Sequence, residues 1–256
     1  MKNLLAIMAV ALSASSAIAQ PTEKPTIVLV HGAFADSSSW NGVTAILKRD
    51  GYHVVAAANP LRGVSADASY VADLVSNIKS PVVLVGHSYG GSVISEAADG
   101  HLNVKALVYV AAFAPDVGES AAQLTGKYPG STLSPTLAPP VALSGGGNDL
   151  YIQQNRFREQ FAADVPEKQT MLMSVAQRPV AEAALNEVAT KAAWKRLPSW
   201  FVYGTKDKNI PARTMAFMAS RAHSKQTVVV DGASHVVMVS NPRAVAGLIE
   251  TASAAK

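Results

Sequence analysis

The run Gly86-His87-Ser88-Tyr89-Gly90-Gly91 sets a serine between glycines two residues before and two after it, directly behind the apolar stretch Pro81 to Val85. A serine at a tight strand-to-helix turn has a strained backbone, so both flanking positions must be small. Such a turn lifts the hydroxyl above the carboxyl edge of a sheet, over a helix N-terminus that favours developing negative charge. The hydroxyl alone is a weak nucleophile near neutral pH; it needs a base, and the base needs an acid to orient it. Two residues further along stand in that chain order. Asp207 closes Tyr203-Gly204-Thr205-Lys206-Asp207 just past one apolar run, and His235 closes Asp231-Gly232-Ala233-Ser234-His235 just past the next. One helix and one strand fit between them, which brings both side chains over the same edge as Ser88. In this catalytic trio His235 removes the Ser88 proton and returns it to the leaving group, while Asp207 fixes the histidine tautomer. Asp116, after an earlier strand, is the rival for the acid. His53 falls inside an expected strand, His31, His87, His101 and His223 lack the position after the last strand, and Asp231 reads as a turn residue.

His31-Gly32-Ala33-Phe34 closes the first apolar run, where a backbone N–H can face the nucleophile across a cleft. Ala33, with Phe34 as the fallback, and Tyr89 are expected to supply the two N–H groups of an oxyanion hole. Phe34, Phe113, Tyr151, Phe157, Trp194 and Met238 are candidates for the wall of a substrate pocket. Phe161, Met171 and Met173 join them, although aromatic and methionine residues at such spacing also build plain core. No metal and no cofactor are expected. The histidines show no paired ligand spacing and there are no thiolates. Ser144-Gly145-Gly146-Gly147 resembles a phosphate loop only in composition, since no Lys-Ser or Lys-Thr follows it; it reads as a flexible loop.

The elements that must position these groups follow a simple alternation. Strands are expected at Thr26 to Val30, His53 to Ala57, Pro81 to Val85, Val104 to Ala111, Ser199 to Tyr203 and Gln226 to Val230. Most are continuous apolar runs, as in strands covered on both faces. Apolar stripes at helical spacing lie between and after them: Trp40, Val43 and Leu47; Val71, Leu74, Val75 and Ile78; Val245, Leu248 and Ile249. Strand and helix in turn define an α/β fold, a mostly parallel sheet flanked by helices. The alternation breaks from about Asp116 to Arg196, too long a stretch for a plain connection. Gly126 to Gly147, with Pro129, Pro135, Pro139 and Pro140, reads as irregular loop, and Ile152 to Phe161 and Val180 to Lys191 as helical. The expectation is a helical cap insertion at about 116–196 in a single domain spanning 20–256.

The chain has 256 residues, 49% of them apolar, enough for one sizeable core. Its 22 basic and 18 acidic residues give +4, with no more than two adjacent Lys or Arg, so no nucleic-acid partner is expected. Residues 1–19 read as a secretory signal: Lys2, an apolar stretch from Leu4 to Leu12, and a small-x-small site at Ala17-Ile18-Ala19. That implies a mature start at Gln20 and an exported, periplasmic or extracellular product without stable membrane insertion. Oligomeric state has no signature in the sequence.

Taken together, Val28 to Trp40 (VLVHGAFADSSSW), Gly86 to Gly91 (GHSYGG), Arg178-Pro179 and Gly232 to Pro242 (GASHVVMVSNP) resemble the esterase and hydroxynitrile-lyase branch of the α/β-hydrolase fold. The likeness runs from about Thr26 to Leu248, and it puts the family's triad on Ser88, Asp207 and His235. Its lyases carry a lysine directly after the catalytic histidine and a threonine after the first histidine, where this chain has Val236 and Gly32. The resemblance therefore implies hydrolysis of a small-molecule carboxylic ester, with a small or medium apolar substrate, through an acyl-enzyme. Lactone hydrolysis and cofactor-free perhydrolysis are rivals on the same triad; a ligand-binding protein of weak activity is the rival of a different class.

Overall fold

The structure, a computed structural model, describes residues 24–255; the leader expected at 1–19 and the start at Gln20 lie outside them. Strands β1 (Thr26–Val30), β2 (Val54–Ala57), β3 (Val82–His87) and β4 (Val104–Val110) precede the insertion. Inside it lie β5 (Val141–Ala142), β6 (Asn148–Leu150) and β7 (Val180–Ala181), and β8 (Ser199–Gly204) and β9 (Gln226–Val230) follow. β1 to β4, β8 and β9 form one parallel sheet in the order β2-β1-β3-β4-β8-β9. The four inner strands are almost wholly buried, as expected for runs of Val, Leu and Ile covered on both faces. The edge strands differ: β2 and β9 are only partly covered, because each has a neighbour on one side alone.

Helices α1 (Asn41–Arg49), α2 (Val64–Ser76) and α3 (Gly90–Ala97) join the first four strands. The insertion holds α4 (Ala121–Thr125), α5 (Gln154–Phe161), α6 (Glu167–Ala176) and α7 (Glu182–Asn186). After it come α8 (Ala212–Arg221), α9 (Val237–Ser240) and α10 (Pro242–Ala254). The apolar stripes face the sheet: Val43 and Leu47 of α1, Val71 and Val75 of α2, and Val245, Leu248 and Ile249 of α10 are buried. α3 is buried on every side, which its small residues permit beneath a neighbouring helix.

Strand order reverses between β1 and β3, since β1 pairs with β2 on one side and with β3 on the other. Open parallel sheets form a crevice at such a reversal, beyond the carboxyl ends of their strands. Ser88 and the His31–Phe34 turn both leave the sheet there. The insertion above this crevice carries the helices α4 to α7 and, beyond what the sequence led one to expect, a small sheet. β5, β6 and β7 form a small antiparallel sheet, and Val141 to Leu150 is a hairpin whose tip uses the positive φ of Gly146 and Gly147. α6 was not evident from the sequence, and of the helix expected over Val180 to Lys191 only α7 forms.

Candidate active site

Ser88 has φ +53, the left-handed region that L-residues avoid at a cost of about 1 to 3 kcal/mol. Three backbone hydrogen bonds hold it there. Its N–H donates to the Val110 carbonyl (3.2 Å), and its own carbonyl accepts from Gly91 (3.0 Å) and Phe113 (3.1 Å). The flanking glycines are required by contact: a Cβ on Gly86 would lie 2.6 Å from the Gly90 oxygen, and one on Gly90 would lie 2.5 Å from the Val30 oxygen.

His235, just beyond β9, meets Asp207, just beyond β8, with Nδ1 2.7 Å from Oδ2 and both side chains buried. The other Asp207 oxygen accepts the backbone N–H groups of Asn209 (2.8 Å) and Ile210 (2.9 Å). A carboxylate held on both oxygens keeps the proton of the neutral imidazole on Nδ1 and leaves Nε2 free to act as base. Ser88 and His235 line the same cavity, of about 240 Å³. The edge of the Phe161 ring rests against the His235 ring at 5.1 Å.

The bases and acids that the sequence left in competition are engaged elsewhere. His87 is fully buried, its Nε2–H donating to the His235 carbonyl (3.2 Å); burial foremost, and the neighbouring His235, hold its pKa well below the ordinary histidine range. His31 donates from Nδ1 to the Gly32 carbonyl (3.0 Å), and burial lowers its pKa too. His53 precedes β2 and is exposed rather than within the strand. Asp116 pairs with Lys195 (2.5 Å) and does not line the cavity. Asp231 accepts from the Thr205 hydroxyl across a surface turn.

Ala33 and Tyr89 both line the cavity beside Ser88. Phe34 lines it as well, but its N–H is committed to the Arg178 carbonyl (3.0 Å), which separates the two candidates for the first oxyanion donor in favour of Ala33. Tyr89 is pinned from behind: its hydroxyl donates to Asp67 Oδ2 (2.9 Å), and Asp67 Oδ1 accepts the Arg62 N–H (3.1 Å). Burial raises both the phenol and the carboxyl of this pair above their ordinary values.

Of the six residues expected to form the pocket wall, Phe34 and Phe113 do so and four do not. Phe157 lies one layer back, packed on Phe161 at 5.0 Å. Trp194 donates its indole N–H to the Pro115 carbonyl (2.8 Å) under the Arg221 guanidinium. Met238 is fully buried in α9, and Tyr151 is half-buried beside the small cap sheet. Among the further candidates, Met171 is exposed on α6, Met173 lines a separate groove on that helix, and Phe161 backs His235. The wall is instead largely aliphatic, with Leu133, Leu137, Leu150, Leu185 and Ile210, and its polar members besides Ser88 and His235 are Asn209, Glu182, Asn186, Thr125 and Ser134. Aliphatic residues in a cap carry no mark that separates wall from core, so only Asn209 and Ile210, adjoining Asp207, had a usable signal.

A serine on a strained turn, sharing a cavity under a cap with a carboxylate-held histidine, is the arrangement of an esterase-like hydrolase site. The chain belongs to the alpha/beta hydrolase family, whose model matches residues 27–248. It is 27% identical over 252 residues to an alpha/beta hydrolase of Aspergillus novofumigatus, covering 90% of this chain and 97% of that one. It is 24% identical to the alpha-hydroxynitrile lyase of Arabidopsis thaliana, over 86% of this chain and 93% of the lyase. The fold is shared with polyneuridine aldehyde esterase at TM-score 0.77 and 18% identity, covering 90% of this chain and 99% of the esterase.

Proposed function

We propose that the protein is an exported serine hydrolase that cleaves carboxylic esters of small or medium apolar substrates through an acyl-enzyme. The observation that carries this reading is the His235–Asp207 pair, whose carboxylate is satisfied on both oxygens beside the cavity that also holds Ser88. Ser88 Oγ attacks the ester carbonyl carbon and its proton passes to His235 Nε2. The anionic oxygen takes hydrogen bonds from Ala33 and Tyr89, each worth roughly 3 kcal/mol of transition-state stabilisation. Collapse breaks the bond to the alcohol oxygen, which leaves with the proton from His235. Water then repeats the sequence on the acyl group: His235 takes its proton, the acid departs and Ser88 is restored. Export rests on the leader-like residues 1–19.

Cyanohydrin cleavage is the chemistry named for one relative, and two positions here oppose it. Val236 offers no ammonium beside His235. At position 32 a Cβ would lie 2.6 Å from Ser88 Cβ and 2.7 Å from the His87 oxygen, so a threonine there would have to push the nucleophile aside. A binding protein would have no use for the strained Ser88, which lowers stability without improving a ligand contact. Parallel assays of p-nitrophenyl acetate hydrolysis and of cyanide release from mandelonitrile test the reading. Ester hydrolysis without cyanide release is expected; cyanide release without ester hydrolysis would overturn it.

A further inference from the structure

Asn209 follows Asp207 by two residues, is 4% exposed, and lines the catalytic cavity. The orientation of its carboxamide is fixed by a chain of hydrogen bonds that begins outside the site. The Lys208 carbonyl can only accept, so the Gln160 atom 3.0 Å from it must be the amide nitrogen, Nε2. That nitrogen also donates to Asn209 at 2.6 Å, so the Asn209 atom facing Gln160 must be its oxygen, Oδ1. The Thr132 hydroxyl completes the arrangement by donating to Gln160 Oε1 (2.9 Å). With Oδ1 turned toward α5, the Asn209 NH2 is at the opposite end of the amide, and it makes no hydrogen bond among the described residues. An amide donor on a cavity wall with no protein partner is open to water or to an acceptor that a ligand brings.

We propose that the Asn209 carboxamide is a specificity-determining donor of the catalytic cavity, which reads an uncharged carbonyl carried by the substrate in addition to its scissile ester. This rests on the ester-hydrolase reading above. The oxyanion is already served by backbone N–H groups, so a side-chain donor on the acid's loop is available to a different oxygen. An uncharged acceptor fits better than a carboxylate because the exposed Glu182 lines the same cavity and would repel an anion. The remaining wall is mostly apolar, with Thr125, Ser134 and Asn186 as further polar members, which suits a compact carbon skeleton that carries few polar groups.

The test compares methyl pentanoate with methyl 3-oxopentanoate and methyl 4-oxopentanoate on the wild type, Asn209→Leu and Asn209→Asp. Intrinsic reactivity cancels when each variant is divided by the wild type on the same ester. Asn209→Leu is expected to lower kcat/KM for one of the oxo esters about tenfold more than for methyl pentanoate, the fold-change of one hydrogen bond. Asn209→Asp keeps an acceptor for Gln160 but lacks the amide donor, and at pH 8 it should show the same selective loss. Equal losses on all three esters, or recovery of the oxo-ester rates by Asn209→Asp, would mean that Asn209 merely anchors Gln160 and would overturn the proposal. A wild type that hydrolyses none of the esters would sink the hydrolase reading along with it, whereas brisk hydrolysis with flat ratios removes only the role of Asn209.

Discussion

The edge of the parallel sheet and the cap above it build opposite walls of one cavity by different means. At the sheet edge each reacting group has a position set by backbone contacts: Ser88 by three hydrogen bonds and glycines that tolerate no Cβ, Asp207 by two N–H groups, His235 by Asp207. The cap contributes shape through Leu133, Leu137, Leu150 and Leu185, whose exchange for similar residues changes volume but breaks no hydrogen bond of the triad. On the proposed function, chemistry belongs to the sheet edge and substrate choice to the cap, so substitutions in the two walls should differ in magnitude and in kind.

The largest effects belong at the edge. Ser88→Ala and His235→Ala should each lower ester turnover by about 10⁴ or more, and the double variant should lose little further, because the two act as one unit. Steady-state kinetics on folded protein checks this; a Ser88→Ala protein with more than a few per cent of activity would erase the contrast between the walls. Asp207→Asn should cost about 10³ to 10⁴ by presenting the wrong imidazole tautomer, with Asp116→Asn mild. The reverse ranking would move the orienting acid away from the residue that bonds His235.

A third prediction concerns stability at the edge. Burial lowers the folded-state pKa of both His31 and His87. Below about pH 6.5 the unfolded chain takes up protons that these two refuse when folded, so stability is full above that pH and is lost as pH falls toward the folded values. The loss is at most about 1.4 kcal/mol per pH unit for each histidine. Urea unfolding at pH 7.5, 6.5 and 5.5 should show that decline, and His87→Phe should make it shallower. An unchanged slope in the variant would mean that His87 is protonated in the folded protein.

The smallest effects belong to the cap. Each methylene of an acyl chain gains about 0.8 kcal/mol while it finds burial, then must displace packed side chains at about 1 to 3 kcal/mol. With about 240 Å³ available, kcat/KM over p-nitrophenyl esters of two to sixteen carbons should peak at a short chain. Leu137→Ala should move that peak by one or two carbons without altering the rate at the shortest ester more than a few-fold. A maximum at twelve carbons or more would describe a cap that opens.

The same division governs what could be read from the sequence. The strained Ser88 turn and the His235–Asp207 pair of the proposed triad were legible because their demands are local: small residues around Ser88, an acid and a base just past the ends of successive strands. The four inner strands were legible because buried parallel strands are unbroken apolar runs, and the half-covered edge strands β2 and β9 by their runs of valine. The cap was not, because two-residue strands such as β5 and β7 exist only by pairing with residues distant in the chain. For the same reason Trp194 and Phe157, conspicuous as residue types, turned out to be packing, while anonymous leucines form the wall. The choice of Ala33 over Phe34 depended on one contact from the cap, the Arg178 carbonyl, which no local pattern encodes.

The central claim is that Ser88 is a nucleophile made reactive by His235, and covalent labelling addresses it without knowledge of the natural substrate. A fluorophosphonate ester, incubated with the folded protein and followed by intact-mass and peptide mass spectrometry, should give a single adduct on the peptide that contains Ser88. The His235→Ala protein should label at least a hundredfold more slowly. An unmodified wild type, or an adduct on another residue at an undiminished rate in the histidine variant, would contradict the assignment of this site.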